Sequence, residues 1–352
     1  MKAYDDNLRR TAHGLIIVTI IVLALTYLSN VIMPILFSGL ASIIFLPIVK
    51  FWRKRGLNNG LSVLFTVLLI TLLIMGGLLV IIIQSQEIVE ELPQLIQANK
   101  DFLNIKSFDI SSEAITQYIN EHSETIQENL QSLKGGIVTF LEGGFNGLKN
   151  TFIFLITCPI YIFFMLLYRD NVYRFVLEFH GKKKDRSESK AIINEVKNQL
   201  FHYLKGLVIV MIVVGTLTGL GLFLLGIKYA LFFGILTALL TPIPYIGVVV
   251  SAVIPVILAL LTKDSLWYPA GVLAIFAMVQ FAEGNFITPR IMGNSVNINP
   301  LIILLSIVVL GSISGLIGLI LTVPILAIIK VIVDHYPELK HWSYLLEDEK
   351  SY

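Results

Sequence analysis

The sequence predicts an all-α, polytopic integral membrane protein with about eight membrane segments, two broken or re-entrant elements and one extramembrane amphipathic helical segment. Three observations lead there. Of the 352 residues, 56% are apolar and 14% are charged, whereas a soluble domain carries about 25% charged residues. Mean hydropathy is +0.81. Apolar runs of roughly 17–30 residues recur along the chain, enough for a helix to cross a hydrocarbon core about 30 Å thick. These runs lack period-two alternation, which argues against a membrane β-barrel. A net charge of +2 is too small to point to nucleic acid, and the single cysteine, Cys158, leaves no partner for an internal disulfide or a cysteine zinc cluster.

The first apolar run, residues 14–28, follows Lys2, Arg9 and Arg10. No small-residue cleavage pattern succeeds it and further spans begin at once, so it reads as an uncleaved first helix. A second span, about 31–49, contains Pro34 and Pro47 and ends in KFWRKR. Lys50, Arg53, Lys54 and Arg55 make the loop at 50–59 the clearest cytoplasmic marker, with Trp52 at headgroup depth. A third span, about 61–83, completes a first region of residues 1–83.

Residues 84–149 change character: ten acidic residues face four lysines, compatible with the outer side. Ile115, Tyr118, Ile119, Ile126, Leu130, Leu133 and Ile137 form one stripe of an amphipathic helix. The stripe suits packing on spans of the same chain, on a partner subunit or on the membrane interface. A fourth span, 151–167, carries Cys158 and Pro159 and opens a motif-rich transmembrane region, 150–333.

Between 169 and 205, nine Lys or Arg face five Asp or Glu, including the run GKKKDR. This reads as a second cytoplasmic loop with a short helix, an orientation signal that also suits contact with anionic lipid. A fifth span covers 207–226. The apolar stretch 229–261 is cut by TPIPYIG at 241–247, where Pro242 and Pro244 remove backbone donors and Gly247 permits a reversal. It is either one span with an unwound middle or a hairpin. Another span, 266–282, runs into the polar stretch QFAEGNFITPRIMGNSVNINPL at 280–301. Then 302–331 is apolar but punctuated by GSISG and Pro324, and 334–352 is a polar tail. Single crossings throughout place both termini in the cytoplasm; hairpins move the 280–301 loop to the other side.

The chain has no Gly-x4-Gly-Lys-Ser/Thr phosphate loop and no His-Glu-x-x-His zinc pair. Its six histidines, His13, His122, His180, His202, His335 and His341, lie outside the apolar runs. GSISG has its serines out of register for a nucleophile elbow, and the Ser-x-x-Lys at 187–190 lies in a charged loop. No catalytic residue, cofactor or metal is assigned. What remains is the pair of polar interruptions, each a Thr-Pro step followed by glycine, 47 residues apart. Unwound backbone at membrane depth is tolerated where it is buried in protein or lines a polar cavity, as in many secondary transporters. The substrate or ion pathway is therefore expected at Glu283, Arg290, Asn285, Thr241 and Asn299, with Glu283 ionisable and Arg290 its counter-charge. Asn285 and Asn299 equally suit helix capping, and Thr241 a bond back to a helix carbonyl. Structural breaks are expected at Pro242, Pro244, Gly247, Pro289, Gly293 and Pro300. The partners of such a site are a small polar solute, or a monovalent cation and a proton.

PIPYIG at 242–247, taken with Glu283-Gly-Asn, Pro289, Gly293 and Asn299-Pro300, resembles the autoinducer-2 exporter (AI-2E) family of bacterial permeases, and the resemblance covers nearly the whole chain. It implies a helical inner-membrane transporter that uses no ATP and assembles as a homo-oligomer, a pentamer being the expected form. It implies either export of autoinducer-2 or exchange of sodium or lithium against protons. The family pattern often has histidine before the final proline, where this chain has Asn299. Proton handling therefore does not carry over to that position, and Glu283 is the titratable candidate. A reading from another class is a non-transporting membrane scaffold that binds partners through the acidic amphipathic segment at 84–149.

Overall fold

The computed structural model describes residues 23, 26–98, 148–179, 186–293, 297–336 and 339–347. The stripe at 115–137 and most of the first expected span lie outside the described residues. Regular structure among the described residues is helical, and five helical segments have the length and apolarity of a membrane crossing, the last of them, Pro300–His335, being folded on itself.

Helix α1, Ser29–Lys54, accommodates Pro34 and Pro47 and places Arg53 and Lys54 in its last turn, where cations complement the helix dipole. Helix α2, Asn59–Ala98, starts where the Asn58 side chain accepts from the Leu61 amide at 2.8 Å. It continues well past the expected boundary at 83, because residues 78–92 contain neither Gly nor Pro and include good helix formers. Helix α3, Leu148–Leu167, leads through Tyr168 into the amphipathic α4, Arg169–Phe179. Helix α5, Arg186–Leu224, joins the basic stretch and the fifth span in one rod of 39 residues, about 58 Å long.

The next segments are short. Helices α6, Ala230–Leu240, and α7, Ile246–Thr262, have 11 and 17 residues, about 16 and 25 Å of rise. Helix α8, Trp267–Ala282, passes through a π-helical turn, Glu283–Ile287, into α9, Thr288–Met292. Helix α10, Pro300–His335, and a final short α11, Lys340–Leu346, complete the chain.

Two of these segments reverse direction. Helices α6 and α7 pack against each other across TPIPYIG. Gly247 sits so close to the preceding helix that a Cβ there would overlap the Leu240 carbonyl. In α10 the backbone leaves helical geometry at Gly315 (φ 59°, ψ −141°). A Cβ on Gly318 would overlap the carbonyl of Leu310, eight residues earlier, and one on Gly311 would meet the Leu319 side chain at 2.5 Å. Residues eight apart along a straight helix are about 12 Å apart. The arms 300–314 and 316–335 therefore fold back on one another. Both interrupted apolar segments are helical hairpins rather than single crossings, and the sequence alternatives are decided in that direction.

Lipid offers a hydroxyl no hydrogen-bond partner, and several threonines of the apolar helices bond back to their own helix instead. Thr66, Thr237, Thr241, Thr262 and Thr322 each donate to the carbonyl four residues earlier at 2.6–2.8 Å. Large apolar side chains point outward from the middle of α2, where Leu72 and Leu73 are 70% and 68% exposed. Such a surface is stable only in an apolar solvent.

The chain divides into two compact units, each discontinuous in sequence. The first comprises residues 1–71, 152–207 and 292–352. One of its cores joins α1, α5 and α10 through Met33, Leu40, Leu204, Leu321 and Ala327. A second joins α1, α2 and α3 through Ala41, Val49, Val63, Ile162 and Leu166. The Ser38 hydroxyl donates to the Cys158 carbonyl at 3.3 Å, tying α1 to α3. The second unit comprises residues 72–151 and 208–291. Its core gathers Ile88, Leu222, Phe232, Phe233, Leu258, Ala259, Val272 and Phe276. Beyond the apolar part of α2, Glu91 pairs with Lys228, whose ammonium also lies 4.9 Å from the Tyr229 ring centre.

Two predictions follow from these contacts. Gly247→Ala and Gly318→Ala each push a methyl into backbone that cannot yield and are expected to cost more than about 3 kcal/mol. Gly76→Ala, with nothing near its Cβ position, should be neutral or stabilising by up to about 1 kcal/mol. Thermal unfolding of the detergent-solubilised protein checks this, and equal melting temperatures for all three would remove the reversal geometry. The second concerns pH. The hydrogen bond from Lys228 holds the Glu91 carboxyl below its ordinary value of 4.5, against a smaller upward effect of burial. Its contribution to stability is full above the ordinary value and is lost as pH falls through the lowered one. Hydrogen bonding to Glu91 likewise raises Lys228, so the same pair weakens only as pH rises through that raised value. Glu91→Gln should lower the melting temperature near neutrality and flatten the acid limb of its pH profile, so that variant and parent converge at low pH.

Candidate functional site

The polar stretch after α8 is expected to break the helix, and it does not do so at once. Helix α8 and its extension form one apolar segment of 26 residues, Trp267–Met292. Its interruption is the π-helical turn, whose cause lies in the sequence. Proline at 289 has no N–H and its ring would collide with the carbonyl four residues earlier, that of Asn285. Widening the helix by one residue relieves the collision, and the Thr288 amide duly bonds to the Glu283 carbonyl, five residues back. The segment ends at Gly293, which has a left-handed φ of 54°.

The π-turn fixes Glu283 tightly. Its Oε2 accepts from Gln280 Nε2 at 2.6 Å and its Oε1 from Thr288 Oγ1 at 2.8 Å. Asn285, exposed, donates from Nδ2 to the Phe281 carbonyl at 2.9 Å. Arg290 is exposed one turn further on, and among the described residues it forms no ion pair with Glu283. The expected counter-charge is thus replaced by two neutral donors.

At the other interruption, Thr241 Oγ1 donates to the Thr237 carbonyl at 2.7 Å. Pro242 is buried and Pro244 half-buried. The turn closes through the amides of Ile243 and Gly247, which donate to Leu240 and Ile243 at 2.9 and 3.1 Å. Tyr245 adopts a positive φ of 64°, an unusual conformation for a bulky residue. Helices α7 and α8 are consecutive, packed together and joined by residues 263–266 only, so they run antiparallel. TPIPYIG at the start of α7 and the π-turn at the end of α8 consequently lie at one end of this helix pair. A groove of about 530 Å³ runs between the helices, walled by Val249, Val253, Leu273 and Phe276, with Gln280 as its polar member. The hydrogen bonds of Thr241 and of Glu283 and Asn285 all close locally, so proximity at one end is the relation the fold gives them.

Asn299 lies in the first unit and has a definite structural task. As N-cap of α10 its Oδ1 accepts from the Leu301 amide at 2.9 Å, and Pro300 occupies the first helical position. The Asn299 amide donates to the Leu346 carbonyl at 2.8 Å.

Sequence reasoning passed over one group. Lys330 is the only charged residue between 300 and 333, and it is 9% exposed. Its Nζ pairs with Asp334 Oδ2 at 3.1 Å, while Asp334 Oδ1 accepts from Ser343 Oγ at 2.5 Å. His335 Nε2 lies 3.1 Å from Glu195 Oε2. A lone lysine in an apolar run with aspartate four residues on was the available signal. Among the described residues no three His, Cys, Asp or Glu side chains converge where a metal ion could be held.

Residues 15–338 match a family model described as AI-2E family transporter. The chain belongs to the AI-2E transporter family. Relatives of the same length range share about a quarter of its residues. YrrI of Bacillus subtilis (strain 168), provisionally named a transport protein, is 25% identical over 88% of this chain and 87% of its own. A similarly named transport protein of Haemophilus influenzae is 26% identical over 98% of both chains. The AI-2 transport protein TqsA of Escherichia coli (strain K12) is 25% identical over 94% of this chain and 93% of its own. Together with the apolar helices this makes the AI-2E transporter a multi-pass membrane protein and supports a general role in transport.

The two donors to Glu283 lead to a third prediction. Glu283→Gln and Thr288→Val should each lower the melting temperature, and a double-mutant cycle should return a coupling of about 1 kcal/mol, as for a half-buried charge-assisted hydrogen bond. Additive effects would mean that the Thr288 contact contributes nothing.

Proposed function

We propose that this AI-2E transporter is a secondary transporter or facilitator that exports a small polar solute across the bacterial inner membrane, with both termini in the cytoplasm. The observation that carries the reading is the π-helical turn, which sets an ionisable carboxylate and an asparagine at the end of an apolar helix. A π-turn interrupts the regular ladder and is frequent at functional sites. The reversal at TPIPYIG lies at the same end, so Thr241, Glu283, Asn285 and Arg290 are the pathway residues of choice, and Asn299 joins them as a cap that orders the following hairpin. In this reading residues 150–333 form the transport region and 84–149 an extramembrane segment, and the protein works as a homo-oligomer, with five copies the state to test. The name of TqsA makes autoinducer-2 the first solute to try.

A second reading is exchange of sodium or lithium against protons. It is favoured by the surroundings of Glu283, whose carboxylate is held by neutral donors and not committed to Arg290. A group so placed can trade a cation for a proton without first breaking an ion pair.

Flux into proteoliposomes under an imposed proton gradient separates the readings, with autoinducer-2, sodium and lithium as the panel. Glu283→Gln is expected to lower flux of the true substrate by at least about tenfold, a change worth roughly 1.4 kcal/mol. Under antiport it should also abolish the pH dependence of cation flux. Unchanged rates and pH profile for every solute would falsify a pathway through Glu283.

A further inference from the structure

The first unit contains a groove of about 830 Å³ between the ends of α1 and α3, the amphipathic α4, the basic start of α5 and the last arm of α10. Its walls are apolar, with Leu46, Val176, Val196 and Ile328 contributed by four different helices. Its charged members are mostly basic: Lys50, Arg169 and Lys197, against the carboxylate of Asp170. Arg169 is occupied, since its guanidinium lies 3.8 Å from Asp170 and donates to the Leu166 carbonyl at 3.5 Å. Lys50 and Lys197 have no ion-pair partner among the described residues. The groove thus offers two uncompensated positive charges at the mouth of an apolar channel.

Its position fits one class of occupant. Lys50 lies one turn before the end of α1, which is long and apolar enough to cross a membrane, and Arg169 opens α4, separated by Tyr168 alone from the apolar end of α3, so headgroup depth is the expected level of the basic mouth. Helix α4 begins there and presents Val172 and Phe175 outward at 52% and 68% exposure, while Arg174 and Glu178 mark its polar side. Such a helix lies in the plane of the interface with its apolar face among acyl chains. Basic pockets between membrane helices recognise anionic headgroups.

We propose that this groove binds one anionic phospholipid of the surrounding bilayer. Its phosphate is held by Lys50 and Lys197, and an acyl chain lies along Leu46, Val176, Val196 and Ile328. The groove shares no lining residue with the pathway set around Glu283, and the proposal does not depend on which solute is carried.

The test uses the full-length protein in detergent, titrated with phosphatidylglycerol or phosphatidylcholine, with retained lipid counted by native mass spectrometry. One tightly retained phosphatidylglycerol per chain is expected, with phosphatidylcholine retained far more weakly. Lys50→Gln with Lys197→Gln should weaken phosphatidylglycerol by roughly tenfold to thirtyfold, since each cation near a lipid surface is worth about 1 kcal/mol. Arg174→Gln with Lys205→Gln removes two exposed cations that do not line the groove and should leave retention unchanged. Val176→Trp fills the apolar channel and should reduce retention with every cation in place. Equal retention of the two lipids, equal losses in the two charge variants, or full retention in Val176→Trp would each overturn the proposal.

Discussion

Inside a bilayer a peptide group that leaves its helix has no water to turn to, and this constraint governs the protein. Each departure from helical geometry has to be compact enough for the backbone to satisfy itself. At TPIPYIG the amides of Ile243 and Gly247 close the turn on carbonyls just behind them. At the end of α8 the ladder is kept by widening it through one π-turn. At Gly315 a single non-helical residue reverses the chain. The glycines at 247 and 318 are required because the returning helix passes against a carbonyl with no room for a side chain. Without that close approach the two short arms could not pack on each other.

The same constraint explains the arrangement at Glu283. A carboxylate at the end of an apolar helix needs donors, and the π-turn brings Gln280 and Thr288 to its two oxygens from its own helix. The site is therefore self-contained. Arg290, exposed a turn later, is left available for something other than neutralising it.

Much of this was legible beforehand. Composition and run length predict a helical membrane protein, and the apolar stretches locate its long helices, because transfer into lipid is decided residue by residue. Family membership was legible from PIPYIG, Glu283-Gly-Asn and Asn299-Pro300 before any geometry. Local geometry was harder. Pro242, Pro244 and Gly247 announce a turn but do not say whether a helix resumes onward or folds back, since that depends on whether two helices pack. Pro289 suggested a break, whereas a one-residue bulge absorbs it at smaller cost. The Glu283–Arg290 pair was inferred from charge and spacing, and donors three and five residues from Glu283 took its place. Lys330 was missed because one lysine in thirty apolar residues weighs little in a sum. Its meaning comes from Asp334 and Ser343, which the fold brings to it.

The peptide of Asn299 has its own consequence. Its amide is satisfied by the carbonyl of Leu346, in the last helix of the described chain. That partner is 47 positions downstream, so at synthesis rates of about 5–20 residues per second it is made about 2–10 s later. The residue that opens the α10 hairpin is thus synthesised before the partner of its amide exists. The C-terminal segment is then a late latch in biogenesis, because the start of the hairpin is fastened only by a residue made after the whole hairpin.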